Sequence, residues 1–286
     1  GNASLCMGSP ECMSVVRNYL SDTASNYWVF YNQLYLKNSA YWHPEHQDLD
    51  TVEKLWFMVP FASLSQGSSG SEMDEVDKFL WATAALKPEV YDELITHGLL
   101  APTLQMIHRR SRVATNDDYL TYKAHPSAFN NFSNEYSMIR MANEIEVTNI
   151  PPMISLSVIS ETFESPPSSD YRGFDTSTAI ARLRVTNSGS RKIRVSAQNS
   201  YDINGHSLTY HWGIVHGTSS EIKITPLNAN HSEVEIEFEY VASRSVASGD
   251  VSLMSKLSAV AVVVHNGTYY SAPGFVTSYS GKRNAY

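Results

Sequence analysis

His43, Glu45 and His46 fall within the run His43-Pro44-Glu45-His46, and two imidazoles with a carboxylate between them are groups that zinc accepts as ligands. Zinc hydrolase chemistry sets its histidines one helical turn apart with the glutamate beside the first. Here the spacing is shorter and Pro44 breaks the local helix, so that geometry is not reproduced. Tyr41 and Trp42 stand immediately before, with flat faces suited to a sugar ring or a peptide. Tyr41, Trp42, His43 and His46 are therefore the candidate binding residues, against the plainer reading of Trp42 as core and the histidines as an exposed interhelix loop. Asp202 and Asn204 place oxygens at alternate positions of a turn, an arrangement that suits calcium. No cofactor and no metal are assigned, Asp202 and Asn204 being weak candidates for calcium.

Further along, His108-Arg109-Arg110 and Lys123-Ala124-His125 gather basic and imidazole groups near a helix end, where they read as complements to the helix dipole. The chain has no Gly-x-Ser-x-Gly elbow and no glycine-rich phosphate loop, so the commonest signatures of acyl and phosphoryl chemistry are missing. Cys6 and Cys12 lie close together near the start, either as a short disulfide staple or as two free thiols. With 29 Asp and Glu, carboxylate pairs arise by number alone, and no catalytic residue is assigned.

A net charge of −8 and a pI near 5.7 exclude nucleic acid and anionic lipid as main partners, since both need a concentrated positive face. The longest apolar run, Ser258–His265, falls short of the roughly 20 residues of a membrane span and reads as a buried strand. No membrane span is expected. The chain opens Gly-Asn-Ala-Ser without an initiator methionine, the mark of a mature or trimmed chain, and an extracytoplasmic location is inferred on that ground. Leu5 before Cys6 argues against lipidation there. The 17 Tyr and 5 Trp exceed the needs of a minimal core and suit a binding surface.

The elements that must carry these residues divide at about residue 150. Up to Val147 the apolar residues recur at three- and four-residue spacings, predicting an all-α domain over 1–149 with helices at Cys12–Leu20, Ala24–Leu36, Thr51–Leu64, Glu72–Leu86, Pro88–His97, Ala101–Val113 and Glu135–Val147. Gly98 is placed to close the helix before it. At Thr148–Pro152 two prolines force an extended backbone and the period changes to two, so 150–286 is read as a second, antiparallel β-sandwich domain. Val234, Ile236, Phe238 and Tyr240 alternate with Glu233, Glu235, Glu237 and Glu239, a strand buried on one face. That glutamate row repels itself unless cations lie opposite, on either Arg182/Arg184 or Lys192/Arg194.

The segment Val195–Trp212 (VSAQNSYDINGHSLTYHW) resembles the PKD-type, immunoglobulin-like repeat, in which a strand ends in Ala-x-x-Ser, turns through Asp-x-Asn-Gly and re-enters as Leu-x-Tyr-x-Trp. Leu208, Tyr210 and Trp212 then alternate inward, with Trp212 read as an anchor between sheets. Gly213–Gly217 lacks the Asp-Gly that often follows the Trp. The resemblance covers 150–286 and implies a noncatalytic module of a secreted or surface protein.

Together these readings describe an α+β multidomain, secreted or cell-surface bacterial protein that binds a polysaccharide or protein partner rather than transforming it. The alternative is a secreted polysaccharide-directed hydrolase with its site in the helical half.

Overall fold

The chain was analysed as a computed structural model describing residues 4–7, 28–31, 62–64, 71–113, 115–121, 123–125, 128–129, 133–163, 171–184, 189–241, 244–248, 251–255 and 257–280. The first strands are β1 (Ser4–Met7), β2 (Trp28–Tyr31) and β3 (Ala62–Leu64). They are followed by helices α1 (Ser71–Ala84), α2 (Pro88–Thr96) and α3 (Leu100–Arg110), a 3-10 turn at Asp117–Leu120, β4 (Ala128–Phe129) and α4 (Glu135–Glu144).

The expectation of an all-α domain over 1–149 is thereby corrected, because β1 to β4 form a four-stranded sheet in the order β2-β1-β3-β4. β1 runs antiparallel to β2 and β3, and β3 pairs in parallel with β4. Trp28-Val29-Phe30-Tyr31 is wholly aromatic or β-branched, and such residues fit a pleated strand. Over so short an apolar run, spacing does not separate strand from helix. Further on, α1, α2, α3 and α4 lie where helices were predicted. Gly98 adopts φ 66°, and the Gly98 and Leu99 amides donate to Ile95 O and Leu94 O, closing α2 as the sequence suggested.

Beyond the helices come β5 (Ser157–Glu161), β6 (Tyr171–Asp175), β7 (Ala179–Arg184), β8 (Ser190–Ser196), β9 (Thr209–His216), β10 (Ile222–Pro226), β11 (Glu233–Glu239), β12 (Arg244–Ser248), β13 (Val251–Ser255), β14 (Leu257–His265) and β15 (Gly274–Ser280). They build a four-stranded sheet β10-β11-β8-β5, a five-stranded sheet β6-β7-β15-β14-β9 and the hairpin β12-β13. The larger sheets face each other across one cluster holding Ile193, Val195, Val234, Ile236 and Phe238 from one side and Val260, Val262, Val264 and Val276 from the other. They are not purely antiparallel as expected, since β15 runs parallel to β7.

β14 is buried on both faces. Val260, Val262 and Val264 enter the cluster between the sheets, whereas Ala259 and Ala261 join Val215 and Phe275 on the opposite face. Val263, with Ala272, belongs to the core of the helices, beside Phe79, Leu94, Leu104, Ile107, Met138 and Tyr119. The apolar run in the sequence is thus an interior strand, between β15 and β9, of a middle layer, and each fully buried valine contributes about 1.5–3 kcal/mol. α3 is buried from Ala101 through Arg109, its polar residues included.

Charge pairing follows the register. β11 lies antiparallel to β8 with Glu235 opposite Arg194 and Glu237 opposite Lys192. Glu235 accepts from Lys192 Nζ at 3.0 Å and Arg194 Nε at 2.9 Å. Of the two partners expected for the glutamate row, Lys192/Arg194 is the one the fold uses. Arg182 and Arg184 turn inward instead, Arg182 to Glu161 and Asp175 at 2.6 and 2.7 Å and Arg184 to the Phe238 and Gly189 carbonyls. Trp212 is only half-buried: it packs against the inter-sheet cluster, and its Nε1 donates to His231 O at 2.9 Å.

The helical layer meets the five-stranded sheet closely at Gly213, where an added Cβ would lie 2.6 Å from Leu120 O. Gly213→Ala is therefore expected to push the 3-10 turn off β9 and to lower stability by about 1–3 kcal/mol, read as a fall in Tm. An unchanged Tm would show that the two layers do not press together there.

Candidate functional site

The richest concentration of chemically capable side chains lies along the seam between the helices and β9/β14, and it is organised by one turn. Between β14 and β15 the Asn266 side chain accepts from the Thr268 and Tyr269 amides at 3.1 and 2.8 Å, while Gly267 takes φ 96°, a conformation that side chains resist. The Asn266 amide donates to Asp202 Oδ2, Asn149 Oδ1 and Ile150 O at 2.6, 3.1 and 3.2 Å. The turn brings Tyr270 back beside His265 as an antiparallel bridge, their ring centroids 4.4 Å apart.

β9 supplies a second imidazole. Its register places His211 opposite Val263 and Thr209 opposite His265, so His211 and His265 are diagonal neighbours on the face that looks toward the helices. Their rings are 6.3 Å apart, and His211 meets Tyr270 edge-on at 5.7 Å. Thr209 Oγ1 lies 3.0 Å from His211 Nε2, and His265 Nδ1 accepts from the Gly267 amide at 3.3 Å. Burial lowers the pKa of both imidazoles, and for His265 the neighbouring His211 and Arg110 lower it further. From the end of α3, the Arg110 guanidinium sits over Tyr119 at 5.2 Å and over Tyr270 at 5.6 Å, while donating to Asn116 Oδ1 at 2.9 Å.

Behind this rim the cluster continues inward. Tyr119 packs on Tyr270 at 5.4 Å and on His125 at 5.1 Å, and its hydroxyl donates to Ser271 O at 2.8 Å. His125 Nε2 is hydrogen-bonded to the Tyr119 carbonyl, which only accepts, so Nε2 carries the proton. Nδ1 is then the acceptor for Arg109 Nη1 at 3.2 Å, and the ring is neutral. Burial holds the His125 pKa well below its ordinary value, reinforced by Arg109. Burial likewise raises the Tyr119 phenol and brings Arg109 down to about 9, which leaves it cationic at neutral pH. Arg109 also lies over Phe275 at 5.3 Å.

Tyr41, Trp42, His43 and His46 lie outside the described residues, as does Cys12. Asp202 and Asn204 are described, and their oxygens are engaged by the chain itself. Asp202 Oδ1 accepts from the Asn204 and His206 amides and Oδ2 from Asn266. Asn204 Oδ1 accepts from the Ile150 amide, and its Nδ2 donates to Val147 O. The pair thus fastens the 147–150 segment and the Asn266 turn, and among the described residues no three His, Cys, Asp or Glu side chains converge as a metal requires. Arg109, read from sequence as a helix-dipole complement, is fully buried, as are His108 and His125.

What sequence reasoning missed is the meeting of Arg110, His211, His265 and Tyr270. One signal was available, the period of two in Thr209-Tyr210-His211-Trp212, which separates His211 from the inward face of Tyr210 and Trp212.

No family model matches the chain, and no curated protein matches it. Among solved structures, a nucleoside hydrolase-related hypothetical protein from Saccharophagus degradans, described as associated with carbohydrate metabolism, aligns at 14% identity with a TM-score of 0.30, over 54% of this chain and 34% of its own. The alignment therefore spans about a third of that protein.

His125 gives the cluster a pH signature. Its folded pKa lies well below 6.5, so as pH falls under 6.5 the unfolded chain takes up a proton that the folded chain refuses, and stability drops. His211 and His265 add to the same slope, whereas Glu235 and Glu237, lowered from 4.5, act only at more acid pH. Tm should fall between about pH 7 and pH 5, and His125→Gln should flatten that fall. An identical slope in the variant would contradict a neutral buried His125.

Proposed function

We propose that the protein binds a carbohydrate or protein ligand outside the cytoplasm, at the bacterial cell surface or in the periplasm, and does so without catalysing a reaction on it. The observation that carries this reading is the preformed rim in which Arg110 is held over Tyr119 and Tyr270 beside the half-buried His211 and His265. Flat ring faces and fixed donors converging on one place, seated on strands and a helix rather than on loose chain, are what a binding surface uses. The resemblance of Val195–Trp212 to PKD-type repeats supports the same class of function.

Several described carboxylates are held in structural pairs, which supports binding over hydrolysis. Cleavage of a glycosidic bond takes two carboxyl groups flanking the bond. Glu161 and Asp175 hold Arg182, Asp202 fastens the turn beneath the rim, and Glu235 and Glu237 neutralise Lys192 and Arg194 across the sheet. These acids are spent on structure.

Full-length protein screened on glycan and peptide arrays should bind members of one of the two classes. Tyr270→Ala should weaken the strongest hit about tenfold, equivalent to about 1.4 kcal/mol, while Asn228→Ala, on the loop between β10 and β11, should leave it unchanged. Equal loss in both variants, or a hit that turns over on incubation, would contradict the proposal.

A further inference from the structure

Arg110 differs from most of the cations whose contacts are described. Lys87, Lys123, Arg140, Arg182, Lys192 and Arg194 each lie within ion-pair distance of a carboxylate. The acceptors of Arg110 are neutral, Asn116 Oδ1 at 2.9 Å and Thr115 O at 3.5 Å, and among the described residues no carboxylate is paired with it. Its plane is supported instead by the Tyr119 and Tyr270 rings. In a chain of net charge −8, a half-exposed guanidinium braced by rings keeps its charge and part of its donor fork for a group that arrives from outside.

Resting on the binding proposal, we infer that the ligand is an acidic polysaccharide, whose sugar carboxylate is taken by Arg110 while the sugar hydroxyls meet the polar edges of His211, His265 and Thr209 beside it. A guanidinium donates two parallel hydrogen bonds to a carboxylate, and imidazole edges and a threonine hydroxyl are hydrogen-bonding partners for sugar hydroxyls. Thr209 and the imidazole edges stand within one ring's breadth of Tyr270, since Thr209 Oγ1 is 3.0 Å from His211 Nε2 and both imidazoles contact the phenol. They supply polar partners for the hydroxyls of that sugar. What the rim offers is a set of side-chain faces and donors around a single cation, which matches a charged ring better than the repeating main chain of an acidic peptide.

The test is calorimetric titration of the full-length protein with polygalacturonate, alginate and hyaluronate, each beside its carboxyl-reduced neutral form, and with polyglutamate. At least one acidic polysaccharide should bind about tenfold or more tightly than its reduced form. Arg110→Gln should remove that difference while the protein still unfolds in one cooperative transition, and Arg110→Lys should keep part of it. Equal affinity for a polymer and its reduced form would overturn the inference and leave the binding proposal standing. Binding of polyglutamate in preference to every polysaccharide would overturn it in favour of an acidic protein. If none of the polymers binds although array hits bind normally, the acidic-saccharide assignment is wrong; if the arrays are also blank, the binding proposal falls with it.

Discussion

A strand whose residues alternate between two hydrophobic cores can leave neither face in water, and β14 is such a strand. Val260, Val262 and Val264 close the space between the two large sheets, while Ala259, Ala261 and Val263 face the other way. The five-stranded sheet must therefore be covered twice, once by the four-stranded sheet and once by the helices. α3 sits deep enough in the second cover to be buried over nearly its whole length, and β9 approaches the 3-10 turn so closely that Gly213 has no room for a side chain.

The rim exists because that cover ends. Where β14 runs out at His265, the apolar alternation gives way to an imidazole, the Asn266 turn and Tyr270, and the last turn of α3 arrives with Arg110. Deeper in the seam the same residue types are dry and locked: His125 is fixed in one tautomer between Tyr119 O and Arg109, and Tyr119 is tied to Ser271. The polar network is graded from a dry interior, where neutral His125 meets the buried Arg109, to a half-exposed edge that holds Arg110. Its inner members hold the outer ones in place, since Tyr119 is one of the two rings that support Arg110.

Much of the strand-rich half was legible because its alternation is strong. The glutamate row of β11 dictated both a buried face and a basic neighbour, and Lys192 and Arg194 proved to be that neighbour. Gly98 disclosed the end of α2 because only a left-handed residue closes a helix that way. The all-α reading of the first half failed where aromatic and β-branched residues crowd into four positions, as at Trp28–Tyr31, since period and propensity disagree there. The inward turn of Arg182 was hidden because its partners come from strands of two different sheets, Glu161 on β5 and Asp175 on β6. The rim was hidden for the same reason: Arg110, His211, His265 and Tyr270 meet only when helix, edge strand and turn are folded together. Asp202 and Asn204 were noticed for their oxygens, and the fold uses those oxygens to fasten backbone.

We place the proposed ligand recognition at the seam of the helical layer and the five-stranded sheet. Hydrogen exchange of the full-length protein, with and without a saturating acidic polysaccharide, tests it without altering a residue. Slowed exchange is expected in peptides covering Arg110–Val113, Thr209–Trp212 and His265–Tyr270, with little change over Ile222–Glu239. Protection confined to Ile222–Glu239, on the opposite sheet, would contradict it.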